Sequence, residues 1–154
     1  MSSSETSTAI DDTDRVILSE LIRNGRATFK QLGALAGLSP HAVAPRVRRL
    51  HDAGIVTGFT ALVDYSHLGR GLDALIDARL LATAKPEAFE AAAGELPAIR
   101  EVSFVTGRFD YQLRAACRDA DDLDHTVRAL RQAGAAVTET RIVLRTQAFL
   151  RPVR

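Results

Sequence analysis

Two short helices joined by a tight turn are predicted by the segment TFKQLGALAGLSPHAVAPRVRRLHDAGI, which begins at Thr28. Thr28 and Gln31 have the spacing of a capping box, which begins a helix, and Gly37 is placed to end that helix. Ser39 followed by Pro40 begins the next one, because a proline at the first helical position loses no intrahelical hydrogen bond. The pattern predicts a helix-turn-helix, a motif that places its second helix in the major groove of DNA.

Apolar residues at helical spacing predict which side chains of this region are buried. A first helix, capped by Asp11 or Asp12, ends at Asn24-Gly25 and turns an apolar stripe inward; the stripe is Ile17, Leu18, Leu21 and Ile22. Leu32 and Leu35 are expected to face the core from the second helix. In the third helix the inward residues are Val43, Val47 and Leu50. Ile55–Val63 is expected to leave the domain as a strand.

The charge of the same region is strongly positive, although the whole chain carries a formal charge of only +1. Between Arg23 and His51 there are six basic residues and no acidic one: Arg23, Arg26, Lys30, Arg46, Arg48 and Arg49. Arg46 and Arg49 are expected to project away from the core, with Arg48 at the flank. A basic patch of this kind is the usual footprint of phosphate contacts, whereas an isolated helix with these residues would be only a solvated face.

The helix-turn-helix prediction identifies eight candidate DNA contacts. The start of the third helix offers unpaired N–H groups and the Ser39 hydroxyl to a phosphate, and its first turn usually reaches base edges. Arginines farther along can bind phosphates or guanine. The candidates are Arg26, Thr28, Ser39, His41, Ala42, Arg46, Arg48 and Arg49.

Pro45 breaks the pattern of a regular recognition helix. It lies inside the third helix, where its ring clashes with the carbonyl of His41 and one backbone bond is lost. We predict a kink between the Ser39–Ala44 turn and the arginines. A tolerated bend with no functional role is the alternative.

The second half of the chain alternates strands and helices. Ala74, Ile76, Ala78 and Leu80 predict a strand, and Pro86 opens a helix that Pro97 stops. Ile99–Thr106 and the alternating segment Tyr111–Cys117 predict two further strands. Asp119 caps a second helix, Gly134 ends it, and Val137–Leu144 completes the sheet. The order strand, helix, strand, strand, helix, strand is the ferredoxin-like arrangement.

The predicted fold class is therefore α+β, with a helix-turn-helix domain followed by a ferredoxin-like βαββαβ domain. We place the helix-turn-helix DNA-binding domain at residues 1–60, a linker at 61–69, and the ferredoxin-like domain at 70–154. Residues 1–9 are expected to be a frayed tail.

Four segments in this order resemble the Lrp/AsnC family, the feast/famine transcriptional regulators of bacteria and archaea. They are DDTDRVILSELIRNGRAT, LAGLSPHAVAPRVRRLHDAGIVTGFTALVD, VTGRFDYQL and VTETRIVL, and together they span roughly residues 10 to 150. The resemblance implies that the DNA-binding domain is a winged helix-turn-helix and that residues 70–154 form a ligand-binding effector domain that dimerises. It also implies higher oligomers, which are often octamers. It also implies a small amino-acid effector bound between effector domains. Pro45 and Arg108 depart from the family's usual residues.

An amino-acid effector is a zwitterion, so its site needs an acceptor for the ammonium group and donors for the carboxylate. Asp110 is the expected acceptor, and Arg108 could bind the carboxylate, pair with Asp110 or turn away. The candidate ligand residues are Thr106, Gly107, Arg108, Asp110, Thr138 and Thr140. The alternative is that VTGRFDY is only a hairpin, with Asp110 stabilising its turn.

Several classes of protein are disfavoured by what the sequence lacks. Cys117 is the only cysteine, and His41, His51, His67 and His125 show no metal-ligand spacing, so we expect no metal site and no cofactor. No apolar run is long enough for a membrane span. The N-terminus MSSSETSTAIDD is not a signal peptide, so a cytoplasmic location is expected.

Three functions are compatible with these features to different degrees. The favoured one is a sequence-specific transcriptional regulator that binds a pseudo-palindromic operator as a homodimer or higher oligomer. A nucleoid-type architectural protein without an effector would also explain the basic patch. A small amino-acid-metabolising enzyme or stand-alone amino-acid sensor is disfavoured by the helix-turn-helix, and the absence of a catalytic constellation argues against catalysis, so we expect no enzyme activity.

Overall fold

The computed structural model describes residues 9–153, which form two compact units. The N-terminal unit contains residues 9–62 together with 147–153, and the C-terminal unit contains residues 63–146. The end of the chain therefore packs with the first helix rather than with the sheet. The Val153 N–H donates to Ser19 Oγ at 2.9 Å, and the Val153 side chain packs beside Leu18 and Leu50.

Three capped helices form most of the N-terminal unit: α1 (Asp12–Arg23), α2 (Phe29–Ala36) and α3 (Pro40–Asp52). Asp11 caps α1, and the reciprocal capping box predicted for α2 is present, with the Gln31 N–H donating to Thr28 Oγ1 at 3.2 Å. Each of these caps satisfies backbone N–H groups that a helix start leaves without partners.

The core of this unit confirms the predicted apolar stripes with two exceptions. Ile17, Leu32 and Val43 are almost completely buried. Leu35, which was expected to face the core, is 58% exposed, because the short helix α2 buries Leu32 and Gly33 instead. Ile22, expected on the α1 stripe, is also exposed.

The strand predicted over Ile55–Val63 is absent from the described structure. Instead, the Ile55 and Val56 N–H groups donate to the Leu50 carbonyl, and residues 57–64 have no regular structure. A strand requires a neighbour that pairs with its backbone, and the rest of the described chain provides none for this segment. The predicted wing is therefore not formed here.

The C-terminal unit has the predicted βαββαβ order. Its elements are β1 (Leu72–Leu80), α4 (Pro86–Gly94), β2 (Ile99–Phe104), β3 (Tyr111–Cys117), α5 (Ala120–Gln132) and β4 (Ala135–Ile142). The four strands form one sheet in the order β2-β3-β1-β4, and all neighbouring pairs are antiparallel. A 3₁₀ helix at Tyr65–Leu68 precedes the sheet.

One face of the sheet packs on the helices and the other is charged. Ile76 and Leu113 are fully buried among residues of the helices such as Phe89 and Leu130. On the opposite face Arg114 pairs with Asp73 at 2.6 Å. The period of two along each strand separates these sets, as the alternating sequence predicts.

Candidate nucleic-acid interface and ligand site

The turn between α2 and α3 is held by backbone geometry. Gly37 has the left-handed φ of 68° that ends α2, and the Leu38 N–H donates to the Gly33 carbonyl at 2.9 Å. Gly33 lies so close to the Leu38 carbonyl that a Cβ would come within 2.4 Å of its oxygen. The two helices can therefore approach this closely only because residue 33 has no side chain.

Capping engages two of the hydroxyl groups that were predicted to contact DNA. Ser39 Oγ accepts from the Ala42 N–H at 3.2 Å at the start of α3. Thr28 Oγ1 accepts from the Gln31 N–H and also donates to Gln31 Oε1. Both residues are exposed, as are Arg26 and His41. These predicted contacts lie at the surface around the starts of α2 and α3.

The three arginines of α3 differ in the partners they have within residues 9–153. Arg46, expected to point away from the core, turns toward α1, where its Nη1 lies 2.6 Å from Asp11 Oδ2 and 2.9 Å from Asp14 Oδ1. Arg49 also pairs with Asp14 through Nη2. Arg48, expected at the flank, is exposed and forms no ion pair within residues 9–153. Proximity to α1 explains the difference, because its first turn carries carboxylates.

Asp14 is the residue of this region that the sequence reasoning missed. Its side chain is completely buried, and it accepts hydrogen bonds from the Asp11 N–H, Arg46 and Arg49. The signal was present in the spacing, because Asp14 precedes Ile17 by three residues and so lies in line with the apolar stripe of α1. An acidic residue in such a stripe needs cationic partners.

Charge pairing shifts the pKa values of Asp11 and Arg46. The hydrogen bond from Arg46, together with the one from the Asp14 N–H, lowers the pKa of Asp11. Asp11 in turn raises the pKa of Arg46. Two guanidinium groups and two carboxylates thus meet at the contact of α1 and α3.

Pro45 lies on the exposed side of α3, and the helix continues through it from Pro40 to Asp52. The missing backbone bond at Pro45 is therefore accommodated without ending the helix. The kink stays a prediction.

The candidate ligand residues of the hairpin Thr106–Asp110 lie together between β2 and β3. Gly107 has a positive φ of 119°, and the Arg108 guanidinium lies 5.3 Å from the centre of the Phe109 ring. One oxygen of the Asp110 carboxylate, Oδ2, accepts from the Leu80 N–H at 2.8 Å. Asp110 therefore stabilises the turn and the end of β1 at the same time, and its Oδ1 has no hydrogen-bond partner in the part of the chain described.

The other two candidate ligand residues lie across strand β1 from the hairpin. Thr138 and Thr140 belong to the edge strand β4, whereas the hairpin joins β2 and β3, so β1 separates the two groups. At the spacing of hydrogen-bonded strands, β4 lies roughly 10 Å from β3. Thr138 also accepts from Arg131 Nη2 at 2.9 Å. Within one chain, β1 therefore separates the hairpin from Thr138 and Thr140.

Neither a metal site nor a membrane-spanning helix is found among residues 9–153. No group of three or more histidine, cysteine or acidic side chains in this range is arranged to hold a metal ion. None of its helices has the length and apolar character needed to cross a membrane.

Two family models match this chain, one for each unit. The AsnC-type helix-turn-helix domain matches residues 10–51, and the Lrp/AsnC ligand binding domain matches residues 73–150. The second match alone covers half of the sequence.

Relatives of known name agree with both matches. The HTH-type transcriptional regulator LrpA of Mycobacterium tuberculosis is 32% identical, over 90% of this chain and 92% of its own. A transcriptional regulator of Neisseria meningitidis, solved in complex with L-methionine, has a TM-score of 0.83 and 32% identity, over 92% of this chain and 94% of its own.

A second solved structure supports the same assignment. The feast or famine regulatory protein of Mycobacterium tuberculosis, complexed with L-methionine, has a TM-score of 0.84 and 31% identity, over 92% of this chain and 96% of its own. These likenesses extend over both units, including the helix-turn-helix and the four-stranded sheet. The chain belongs to the Lrp/AsnC family of transcriptional regulators.

Proposed function

We propose that this regulator reads a pseudo-palindromic operator with helix α3, presented twice by a homodimer. The observation that carries the proposal is the capped α2-turn-α3 unit, whose outer helix face exposes Arg48 and His41. Two such helices about 34 Å apart would enter successive major grooves on one side of the duplex. The regulator would act in the cytoplasm, where it can reach the DNA.

The neighbouring residues extend this interface along the DNA backbone. Arg26 and Thr28 lie at the exposed start of α2, and Ser39 and Ala42 lie at the start of α3. The unpaired N–H groups at a helix start favour a phosphate there. The remaining two candidates, Arg46 and Arg49, are engaged with carboxylates of α1.

We propose that the effector is a small amino acid bound between effector domains of two copies of the chain. Two relatives of similar fold were solved with L-methionine. The separation of the Thr106–Asp110 hairpin from Thr138 and Thr140 supports a shared site, because a second copy can bring the two groups together. The Asp110 Oδ1 would accept from the ammonium group, and Arg108 would bind the carboxylate.

Exposed apolar side chains support assembly beyond a monomer. Phe104 at the edge strand β2 is 73% exposed, and Leu144 after β4 is 95% exposed. Contiguous exposed apolar surface, rather than a single scattered side chain, commonly marks a contact with another chain. We propose a dimer that forms higher oligomers, for which the octamer is the size to test by light scattering with and without L-methionine.

The DNA proposal is tested by competition between a selected duplex and a mixed-sequence duplex. The selected duplex would be enriched from a random pool by the full-length protein. A regulator should prefer it by about 10³-fold or more. Equal affinity for the two duplexes would instead identify the nucleoid-type architectural protein.

The effector proposal is tested by a thermal-shift panel of common amino acids, beginning with L-methionine. A ligand at 100 times its Kd should stabilise the protein by about 2.7 kcal/mol. Arg108→Gln should weaken this stabilisation without changing the melting of the free protein, because Arg108 is exposed and contacts only the Phe109 ring in the residues described. No shift with any amino acid at millimolar concentration would contradict the proposal.

A further inference from the structure

The contact between α1 and α3 is an ion-pair cluster with a buried centre. Asp14 has no exposed surface, and its carboxylate accepts from Arg46 at 2.9 Å, from Arg49, and from the Asp11 N–H at 3.2 Å. Asp11 adds a second carboxylate at 2.6 Å from Arg46. Each guanidinium group therefore has at least one carboxylate partner.

These pairs make two of the predicted DNA contacts poor ligands for phosphate. The two positive charges of Arg46 and Arg49 are matched by the two negative charges of Asp11 and Asp14. To reach a phosphate, either arginine would have to leave a charge-assisted hydrogen bond and weaken the pairing of the buried Asp14 carboxylate. The free basic charge of α3 is thus smaller than its sequence indicates.

Arg48 lies on a different part of the surface of α3 from Arg46. Successive residues of an α-helix are separated by about 100°, so Arg48 and Arg49 lie roughly 140° and 120° from the buried Val43, on the two flanks of the outward face, whereas Arg46 lies roughly 60° from it. Arg49 is exposed as Arg48 is, but it pairs with Asp14. His41 and Pro45 share the outward face with Arg48, and all three are exposed. No carboxylate within residues 9–153 pairs with Arg48.

We propose that Asp14 is a positioning residue for DNA recognition. Its buried carboxylate fixes α3 to α1 through Arg46 and Arg49 and keeps both cations away from the duplex. Arg48 is then the phosphate contact of this helix. The proposal rests on the proposed role of α3 as the DNA-reading helix. Removing the Asp14 carboxylate releases Arg49, which then binds any phosphate, and leaves Arg46 held by Asp11 alone. Affinity for mixed-sequence DNA then rises while the preference for the selected duplex falls.

Neighbouring arginines provide a matched pair for the test. Arg48→Gln and Arg49→Gln make the same chemical change one residue apart on α3. Binding of each full-length variant to the selected duplex is measured by fluorescence anisotropy over a range of salt concentrations. The slope of log Kobs against log salt becomes shallower by about 0.9 for each phosphate that the protein no longer neutralises. We expect this decrease for each bound helix in Arg48→Gln and an unchanged slope in Arg49→Gln.

Asp14→Asn tests directly whether the buried carboxylate keeps arginine side chains away from the DNA phosphates. On mixed-sequence DNA we expect a slope steeper by about 0.9 for each bound helix, because Arg49 is released while Arg46 keeps Asp11, together with a smaller preference for the selected duplex. A purely structural role would weaken binding to both duplexes without steepening the slope, and that result would overturn the inference. If Asp14→Asn does not fold, as judged by circular dichroism, the comparison of the two arginine variants decides alone.

A failure of this inference can be distinguished from a failure of the proposed function. An Arg49→Gln variant that loses as much slope as Arg48→Gln overturns the inference while leaving the regulator's binding to DNA intact. A wild-type protein that binds neither duplex overturns the proposed function, and the inference with it.

Discussion

Replacing Gly33 by alanine tests how the turn of the helix-turn-helix is held. Gly33 lies within α2, where alanine is ordinarily the better helix former by about 1 kcal/mol. At this position we expect alanine to destabilise the protein instead. A Cβ at this position would lie 2.4 Å from the Leu38 carbonyl oxygen, which is backbone and cannot rotate away as a side chain can.

The magnitude follows from the size of that overlap. Carbon and oxygen atoms in weak contact are about 3.3 Å apart, so the turn would have to move by roughly 0.9 Å. Such overpacking costs about 1–3 kcal/mol, and the 2.9 Å hydrogen bond from the Leu38 N–H to the Gly33 carbonyl would weaken with it. After the gain in helix propensity, we expect a net loss of about 2 kcal/mol, which corresponds to roughly 10 °C in the Tm of a unit of this size.

The chain provides a separate probe for each unit. It has no tryptophan and two tyrosines, Tyr65 and Tyr111, both in the C-terminal unit. Tyrosine fluorescence therefore follows the C-terminal unit, while the helical circular-dichroism signal also follows the N-terminal unit. Gly33→Ala should lower the transition seen by circular dichroism and leave the tyrosine transition in place.

Gly94→Ala is the matched control at a second helical glycine. A Cβ there would meet no atom within 4 Å, and Gly94 has no positive φ. This variant should be neutral or stabilise the C-terminal unit by up to about 1 kcal/mol. If Gly33→Ala melts at or above the wild-type temperature, the close approach of α2 to the turn is refuted.

Two other substitutions in the N-terminal unit have defined outcomes. Pro45→Ala supplies an N–H that can donate to the His41 carbonyl, so thermal melts should show a stabilisation of about 1–3 kcal/mol; an unchanged duplex preference in the same variant would leave the predicted kink without a role in recognition. Asp11→Asn removes a carboxylate whose pKa is lowered when folded, chiefly by Arg46. The stability that this group contributes is present above its ordinary pKa of 3.8 and is lost as the pH falls below it, so the variant should be less stable at neutral pH and lose less on acidification. Melts between about pH 3 and pH 7 check this, and identical pH profiles for variant and wild type would contradict it.

The caps and periodicity of the sequence predict most of the fold because these signals are local. Thr28 with Gln31, and Ser39 with Pro40, determine where α2 and α3 begin through groups no more than a few residues apart. Alternation along Tyr111–Cys117 likewise identifies the buried face of β3. The family resemblance depends on the same ordered local motifs.

Partners distant in the chain were not predictable in this way. Asp14 and Arg46 are separated by 32 residues, and no local pattern states that they pair. Periodicity also does not predict that Val153 folds back onto Ser19, 134 residues away. The same limit explains the strand wrongly predicted over Ile55–Val63, because a strand depends on the presence of a pairing neighbour.

The sequence by itself determined the five α-helices, the four strands of the sheet, their order and the basic character of the helix-turn-helix, since each depends on contacts within one or two helical turns or along one strand. Only the tertiary structure decided which of those cations remain available. When α3 packs on α1, the buried carboxylate of Asp14 comes within hydrogen-bond distance of Arg46 and Arg49, and a buried charge must be paired. Arg48, one residue away from Arg49 in the chain, is rotated by about 100° around the same helix and pairs with no carboxylate within residues 9–153.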